Sequence, residues 1–354
     1  MTAPQAAGGA SIRPANLADP DDVARIEGFV SAAGGSVFHR PLWLAAIERG
    51  TGQRARGLVA ETGGAITGWL PLTEVHSPLL GRALISSGFA VGGGVLSADA
   101  DVAQRLCDGA KSLAATLSCP SIELRGPAAG DGWKINRESH CGFVGPLAAD
   151  DDAQLVAIPR KHRAEVRKGL SAGFEIAVGS GAEDREAHYA VYAESVRNLG
   201  TPVFPRSLFD AVLDLFGADA DILTVRADGV PVASVLSLYH DGAVLPYWGG
   251  GTRAARQLRA NELMYFALMG HARRRGCTLF DFGRSKTGSG PYQYKRNWGF
   301  EPQPLEYASW TAAGARPRDA DPTSPAFARK IALWQRLPLP VANRIGPWIA
   351  RGLA

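Results

Sequence analysis

The sequence predicts an α/β (α+β) protein made of two similar halves, each a mixed and largely antiparallel sheet flanked by helices. Three observations carry this. Three β-rich runs, DILTVRA, VPVASVLSLYH and AVLPYWG, are joined by Asp228-Gly229 and Asp241-Gly242; Asp-Gly between apolar runs signals a hairpin, because both central residues of so tight a turn need positive φ. A glycine break, a helix and a short strand, TLFDFG, come next. The first half repeats the order with ARGLVAET, a Gly63-Gly64 turn, AITGWLPLTEV, the glycines Gly92 to Gly94, the helical DVAQRLCDGAKSLAATL and the strand SIELRG. Cys119 to Gly126 stands after its helix as Cys277 to Arg284 stands after the later one. So long a period excludes a solenoid and suits a tandem duplication; two unrelated α/β halves of generic order are the alternative.

The elements of the second half follow in order. DDAQLVA reads as a helix, and Pro159 suits the start of another over PRKHRAEVRKG. EAHYAVYAESVRNLG puts Tyr189, Tyr192 and Val196 on one face with Gly200 as its stop, and FPRSLFDAVLDLFG does the same with Phe209, Val212, Leu213 and Phe216. After the meander, Asn261 is placed to cap NELMYFALMGHARRRG, which ends at Gly276.

Composition narrows the function classes. At 354 residues with 46% hydrophobic and 20% charged content, the chain has core material for two domains. Four cysteines and seven histidines are scattered without metal-ligand or disulfide spacing, so metal-free chemistry is expected and the cysteines read as small buried apolar groups. Residues 316–354 hold seven Arg and Lys against Asp319 and Asp321. That tail carries the positive charge, and the near-neutral body lacks the footprint of a dedicated nucleic-acid binder. No basic n-region with an apolar stretch opens the chain and no run is long enough to span a bilayer, so a cytoplasmic protein is expected.

The order meander, glycine break, helix, strand, helical turn and last strand is that of the GNAT acyltransferase fold. LRANELMYFALMGHARRRGCTLFDFGRSKTGSGPYQYKRNWGFEPQPLEY, with FHRPLWLAAI, GWLPLTEV, GTPVFPRSLFD and the tail WQRLPLPVANRIGPWIAR, resembles FemAB-like proteins associated with exosortase and PEP-CTERM exopolysaccharide systems. The resemblance covers most of residues 35 to 352. It implies a flexible N-terminus over 1–20, GNAT-like domains over 21–148 and 149–312, the second catalytic and the first helping to form the acceptor cleft, and a basic amphipathic tail over 313–354.

The resemblance also assigns candidate residues. GNAT enzymes cradle the donor's pyrophosphate at the start of the helix after the glycine break, where unpaired N–H groups and the helix dipole favour an anion. This places donor binding at Gly249, Gly250, Arg256, Arg259 and Asn261, although the loop reads QLRAN in place of the glycine-rich acyl-CoA signature. Asp281 and Arg284 stand at a strand end, where a carboxylate can take a proton from an attacking amine and a guanidinium can hold a phosphate or carboxylate; in the plainer reading they pair and brace the loop. Lys286 opens a loop whose Gly288 and Gly290 allow close backbone approach to a substrate. In YQYKRNWGF, Tyr292 or Tyr294 stands where GNAT enzymes carry a general acid, and Lys295 matches a FemAB-type lysine that can stabilise an oxyanion, together with N–H groups of the YWGGG strand. Trp298 and Phe300 read as core.

Arg160, Arg163 and Arg167 recur at i, i+3 and i+7 beside Lys161 and Lys168, a stripe suited to an acceptor's diphosphate or simply a solvated face. The catalytic set is therefore Asp281, Tyr294 and Lys295, and the substrate set Lys161, Arg163, Arg167, Arg284, Lys286 and Tyr292.

The implied reaction moves an acyl group to an amine or hydroxyl of a cell-envelope or exopolysaccharide precursor, the acceptor being a small-molecule or lipid-linked saccharide. No cysteine or serine has a recognisable partner histidine and acid, so no covalent intermediate is expected. Acyl-CoA is the first-choice co-substrate, with no permanently bound cofactor; aminoacyl-tRNA, as in Fem-type relatives, is the alternative, and tRNA is then the nucleic acid bound. A non-catalytic module that binds a nucleotide or polysaccharide precursor is the third reading. In the tail, Phe327, Ile331 and Trp334, then Val341, Ile345 and Trp348, form short apolar faces among Arg329, Lys330, Arg336, Arg344 and Arg351. Such faces fit peripheral attachment to an anionic inner membrane or packing back on the body.

Overall fold

A computed structural model describes residues 9–78, 80–316, 318 and 325–353. The chain forms two compact units, residues 1–137 with 306–320 and 351–354, and residues 138–305 with 321–350.

The first unit contains β1 (Ser11–Pro14), α1 (Pro20–Ala32), α2 (Pro41–Thr51), β2 (Arg54–Thr62), β3 (Ala65–Ser77), β4 (Gly81–Ser86), α3 (Ala100–Thr116), β5 (Ser121–Leu124) and β6 (Lys134–Asn136). Its seven-stranded sheet runs β1-β2-β3-β4-β5, then the returning strand Tyr307–Thr311, then β6. β1 to β4 are antiparallel, β4 and β5 parallel. Leu58, Leu70, Leu84, Leu106 and Ile122 pack α3 onto one sheet face, and Trp69 with Ile26 and Leu44 packs α1 and α2 onto the other. The expected flexible stretch 1–20 is corrected by β1, which pairs with β2; residues 1–8 lie outside the described residues.

The second unit contains β7 (His140–Gly142), β8 (Val144–Pro146), α4 (Asp151–Ala157), α5 (Arg160–Leu170), β9 (Glu175–Gly179), α6 (Ala182–Leu199), α7 (Arg206–Phe216), β10 (Ala220–Ala227), β11 (Val230–His240), β12 (Ala243–Gly251), α8 (Arg253–Leu258), α9 (Ala260–Arg274), β13 (Leu279–Asp281), β14 (Ser285–Lys286), α10 (Gly290–Asn297) and β15 (Gln303–Pro304). The first unit's returning strand is β16 (Tyr307–Thr311), and α11 (Pro325–Trp334) and α12 (Leu339–Ala350) close the chain. Six strands run β8-β13-β12-β11-β10-β9, and β14-β7-β15 form a small second sheet.

The expected meander forms. Asp228, Gly229, Asp241 and Gly242 all take positive φ, between 46° and 76°, so both hairpins turn within two residues. α6 stops at Gly200 in the left-handed conformation, as its sequence predicts. Both large sheets share one plan: four antiparallel strands, a parallel fifth, and an antiparallel sixth drawn from elsewhere in the chain. β8 closes on β13, and β16 closes on β5.

The expected boundaries at 148/149 and 312/313 therefore differ from the compact units. Leaving β5 and β13 as open edges would expose a row of unpaired backbone groups, and each is instead covered by a strand that a linear division assigns to the other half. Of the tail, α11 and α12 belong with the second unit and residues 351–354 with the first.

Candidate active site

The site grows from the way β12 and β13 part. These parallel strands share only two register positions, Ala243 with Leu279 and Val244 with Phe280. Beyond them, Leu236 of β11 faces Trp248 while Ser237 faces Pro246, which leaves Tyr247 as the extra residue of a bulge. A bulge bends its strand, so β12 turns away and a wedge opens between the two strands.

Three candidates meet at the β13 side of this wedge. Asp281 ends β13, and its Oδ1 accepts the Gly283 N–H at 2.9 Å. Lys295 comes from α10, whose start is set by Ser289 capping the Tyr292 N–H and by Pro291 in the first turn. Its Nζ donates to the carbonyls of Gly283 and Arg284 at 3.1 and 2.9 Å. Both functional heads are thus anchored on one turn, Phe282 to Arg284.

Lys295 is 9% exposed and sits 5.5 Å from the ring centres of both Phe143 and Phe282. Burial pushes its ammonium down to about 7, opposed by attraction to Asp281 and helped by repulsion from Arg284. Burial likewise raises the Asp281 carboxyl, against the Gly283 N–H and the charge of Lys295. An ammonium has three donors, and two of those of Lys295 are on these carbonyls. Tyr292 shares this face of α10, its ring 5.5 Å from Phe143.

Tyr294 does not join them, which corrects its expected role as general acid beside Asp281 and Lys295. One residue along a helix turns a side chain by about 100°, and Tyr294 projects with Trp298 toward His162 of α5, 5.5 Å between the tyrosine and histidine rings, and toward Tyr265 of α9. There the Tyr294 hydroxyl, Trp298 Nε1 and His162 Nε2 are buried together, with Trp298 beside the Tyr294 hydroxyl. Burial raises the Tyr294 phenol and lowers His162, which holds the imidazole neutral.

The donor-side candidates are corrected in part. The helix expected to begin at a cap on Asn261 begins at Ala260, because α8 occupies 253–258 and Arg259, with φ 62°, makes the turn into α9. Asn261 is inside the first turn, with its Oδ1 buried and unpaired. The glycines at the end of β12 answer to packing: a Cβ at Gly250 would lie 2.4 Å from Ser195 Oγ, and one at Gly251 2.3 Å from Asn261 Oδ1. At Gly249 it would meet Tyr265 Oη at 3.1 Å. That tyrosine also lies 4.7 Å from the Phe282 ring, and burial pushes its phenol up to about 12. Tyr265 therefore fills the wedge from β12 to the end of β13. Arg259 is drawn onto Glu165 at 2.5 Å, and Arg256 is exposed on α8.

The basic stripe on α5 is broken. Arg163 folds back to donate to the carbonyls of Val156 and Ile158 at 2.7 and 3.0 Å, closing the end of α4, so its assignment to substrate is corrected. His162, Val166 and Gly169 are the buried face of α5. Arg167 remains exposed, and Lys161 lines a cleft of about 410 Å³ with His162 and Glu165 of α5 and Gln293, Arg296 and Asn297 of α10. Arg284 is half-buried on the turn that accepts from Lys295 Nζ, and Lys286 is half-buried on β14.

Sequence reasoning missed Tyr265, His162 and Phe143. Tyr265 falls four residues after Asn261, a helical spacing the sequence does display, but nothing local says that this face meets a parting pair of strands. Among the described residues no cluster of His, Cys, Asp and Glu could hold a metal, and no helix is long and apolar enough to cross a membrane.

The first unit has the same parting of strands and fills it differently. β4 and β5 likewise share two register positions, Leu84 with Ile122 and Ile85 with Glu123. The buried Arg125 side chain then donates to the carbonyls of Ser87 and Ala90.

Residues 159–296 match an acetyltransferase (GNAT) domain. No curated protein matches the chain. Among solved structures the fold is similar to FemX, with a TM-score of 0.64, 16% identity, and coverage of 81% of this chain and 95% of that one. It is also similar to a tandem GNAT protein from the clavulanic acid biosynthesis pathway (TM-score 0.58, 13% identity, 87% and 100% coverage). A third likeness is to L-PGS from Bacillus licheniformis (TM-score 0.53, 14% identity, 90% and 96% coverage). The matched segment lies wholly within the unit that holds Asp281 and Lys295, and the fold of the chain is similar to that of a tandem GNAT protein.

Proposed function

We propose that the chain transfers an aminoacyl group from an ester donor to an amine, with the chemistry at Asp281 and Lys295. The observation that carries the donor class is Tyr265. A thioester donor with its pyrophosphate at the start of α9 would run its arm through the wedge to reach Lys295, and the Tyr265 side chain occupies that route between Gly249 and Phe282. An ester donor that enters over α10 needs no such passage. The resemblance to Fem-type enzymes and the similarity to L-PGS support the same class.

In this reaction the acceptor nitrogen attacks the carbonyl carbon while Asp281 takes its proton. The developing oxyanion receives the third N–H of Lys295, and the C–O bond to the donor breaks as the carbonyl reforms. Lys295, poised near neutrality, protonates the departing alkoxide and recovers its proton from Asp281. Proton transfer matched in this way contributes on the order of a hundredfold or more in rate.

Charged tRNA and acetyl-CoA offered separately to the purified protein test the donor. Saturable binding and turnover of charged tRNA are expected, with no turnover of acetyl-CoA. Saturable acetyl transfer by the wild type would overturn the donor assignment and favour acyl-CoA, which the matched acetyltransferase domain suits. Lack of turnover with both, in a protein whose Asp281→Asn variant restores function in cells, would overturn the catalytic reading.

A further inference from the structure

The last helix, α12, is packed with its small side inward. α12 buries Ala342, Gly346 and Ala350, a stripe at i, i+4 and i+8. It comes so close to the segment after α6 that a Cβ on Gly346 would lie 3.1 Å from the Val203 backbone nitrogen. The bulky side faces out. Val341, Ile345 and Trp348, which recur at i, i+4 and i+7, are 43%, 40% and 52% exposed, and Leu333 of α11 is 66% exposed. A helix that only completes a core buries its large apolar residues and leaves small or polar ones to water; α12 does the reverse.

Charge identifies what covers this face. Residues 325–350 contain Arg329, Lys330, Arg336 and Arg344 and no acidic residue, and all four are exposed. Of the eight tryptophans, Trp348 is the one set out in solvent, and amphipathic indole rings favour the level of lipid headgroups. Basic residues around an exposed aromatic and aliphatic face are the chemistry of a helix lying in an anionic interface. A second copy of the chain fits poorly, since a two-fold contact would bring this basic surface against itself.

We infer that the outward face of α12, with the adjoining basic residues of α11, docks the protein on an anionic lipid surface. Docking uses residues remote in sequence from Asp281 and Lys295 and stands apart from the donor assignment.

Co-sedimentation with vesicles of phosphatidylcholine, and of equimolar phosphatidylcholine and phosphatidylglycerol, tests it. The wild type is expected to pellet with the anionic vesicles only, and less as salt shortens the Debye length. Arg336→Glu with Arg344→Glu should weaken binding by on the order of a hundredfold, each basic residue being worth several-fold near such a surface. Ile345→Glu should abolish it, and all these positions are exposed, so circular dichroism should stay native. Failure of the wild type to bind either vesicle overturns the inference, as does binding that survives both variants. Sedimentation velocity showing a dimer that Ile345→Glu dissociates, without vesicle binding, would assign the face to a second copy instead.

Discussion

Lys295→Met is expected to abolish turnover while making the protein more stable. Removing one preorganised donor to an oxyanion costs roughly 10² to 10³ in kcat, and loss of the proton donor to the leaving group adds to that. Stability moves the other way. Burial pushes the ammonium from 10.5 in the unfolded chain to about 7, a cost of roughly 4 to 5 kcal/mol while the folded chain holds the charge. Against this, methionine gives up two hydrogen bonds to the Gly283 and Arg284 carbonyls, about 1 to 1.5 kcal/mol each. The variant should therefore gain roughly 1 to 3 kcal/mol.

The pH dependence follows from the sign of the shift. Between about 7 and 10.5 the unfolded state binds more protons than the folded one, so wild-type stability rises with pH across that window. The advantage of the variant is full below about 7 and disappears as the pH approaches 10.5. Thermal unfolding of both proteins across this range, set beside turnover at one pH, checks the prediction. A variant that is less stable at neutral pH would mean that the lysine is there to brace the turn. In activity, the wild type should lose rate on the alkaline side as Lys295 deprotonates through about 7. The acid limb should reflect a carboxyl above its usual range, because burial raises Asp281.

Arg125→Ala should destabilise the first unit strongly and leave the chemistry of the folded enzyme intact. The side chain is 5% exposed and donates to the carbonyls of Ser87 and Ala90, where the chain leaves β4. Its own N–H donates to Ser86 Oγ at 2.7 Å, a bond that alanine keeps. Truncation takes the guanidinium from both carbonyls, of which Ser87 keeps the Ala90 N–H at 3.0 Å, and leaves a cavity beside the end of β4, together worth roughly 2 to 4 kcal/mol. A lowered denaturant midpoint with unchanged KM and kcat under native conditions is the expected result. A midpoint shift below about 1 kcal/mol would show that solvent replaces the guanidinium at no cost, and that the parting of β4 and β5 is open to water.

These two residues mark what is legible in a sequence of this kind. Both hairpins of the second half are written in Asp228-Gly229 and Asp241-Gly242, since positive φ at adjacent residues is a local requirement. The C-terminal end of α6 and the strand–loop–helix order around Asp281 and Lys295 are local too, and those two residues do come together on the Phe282–Arg284 turn. Tyr294 was indistinguishable from Tyr292 by type and neighbourhood; only the direction of each side chain on α10 separates them, and that depends on which face of the helix meets Phe143. Arg163 looked like one member of a basic stripe, and the carbonyls that capture it belong to the end of α4, which has no charge pattern to announce it.

By itself, then, the sequence determined the hairpins and main helices of the second half, the two-halved plan and the neighbourhood of Asp281 and Lys295. Each rests on turn chemistry, capping or periodicity acting within a few residues. Tertiary structure alone decided that β8 and β16 each close the sheet of the other stretch of chain, that Tyr265 and Arg125 fill the two partings of parallel strands, and that α12 turns its bulky side outward. The physical reason is common to all three. Open strand edges and gaps between parting strands must be covered or filled, and whichever side chain or strand does so is selected by proximity in space, which leaves no periodic trace along the chain.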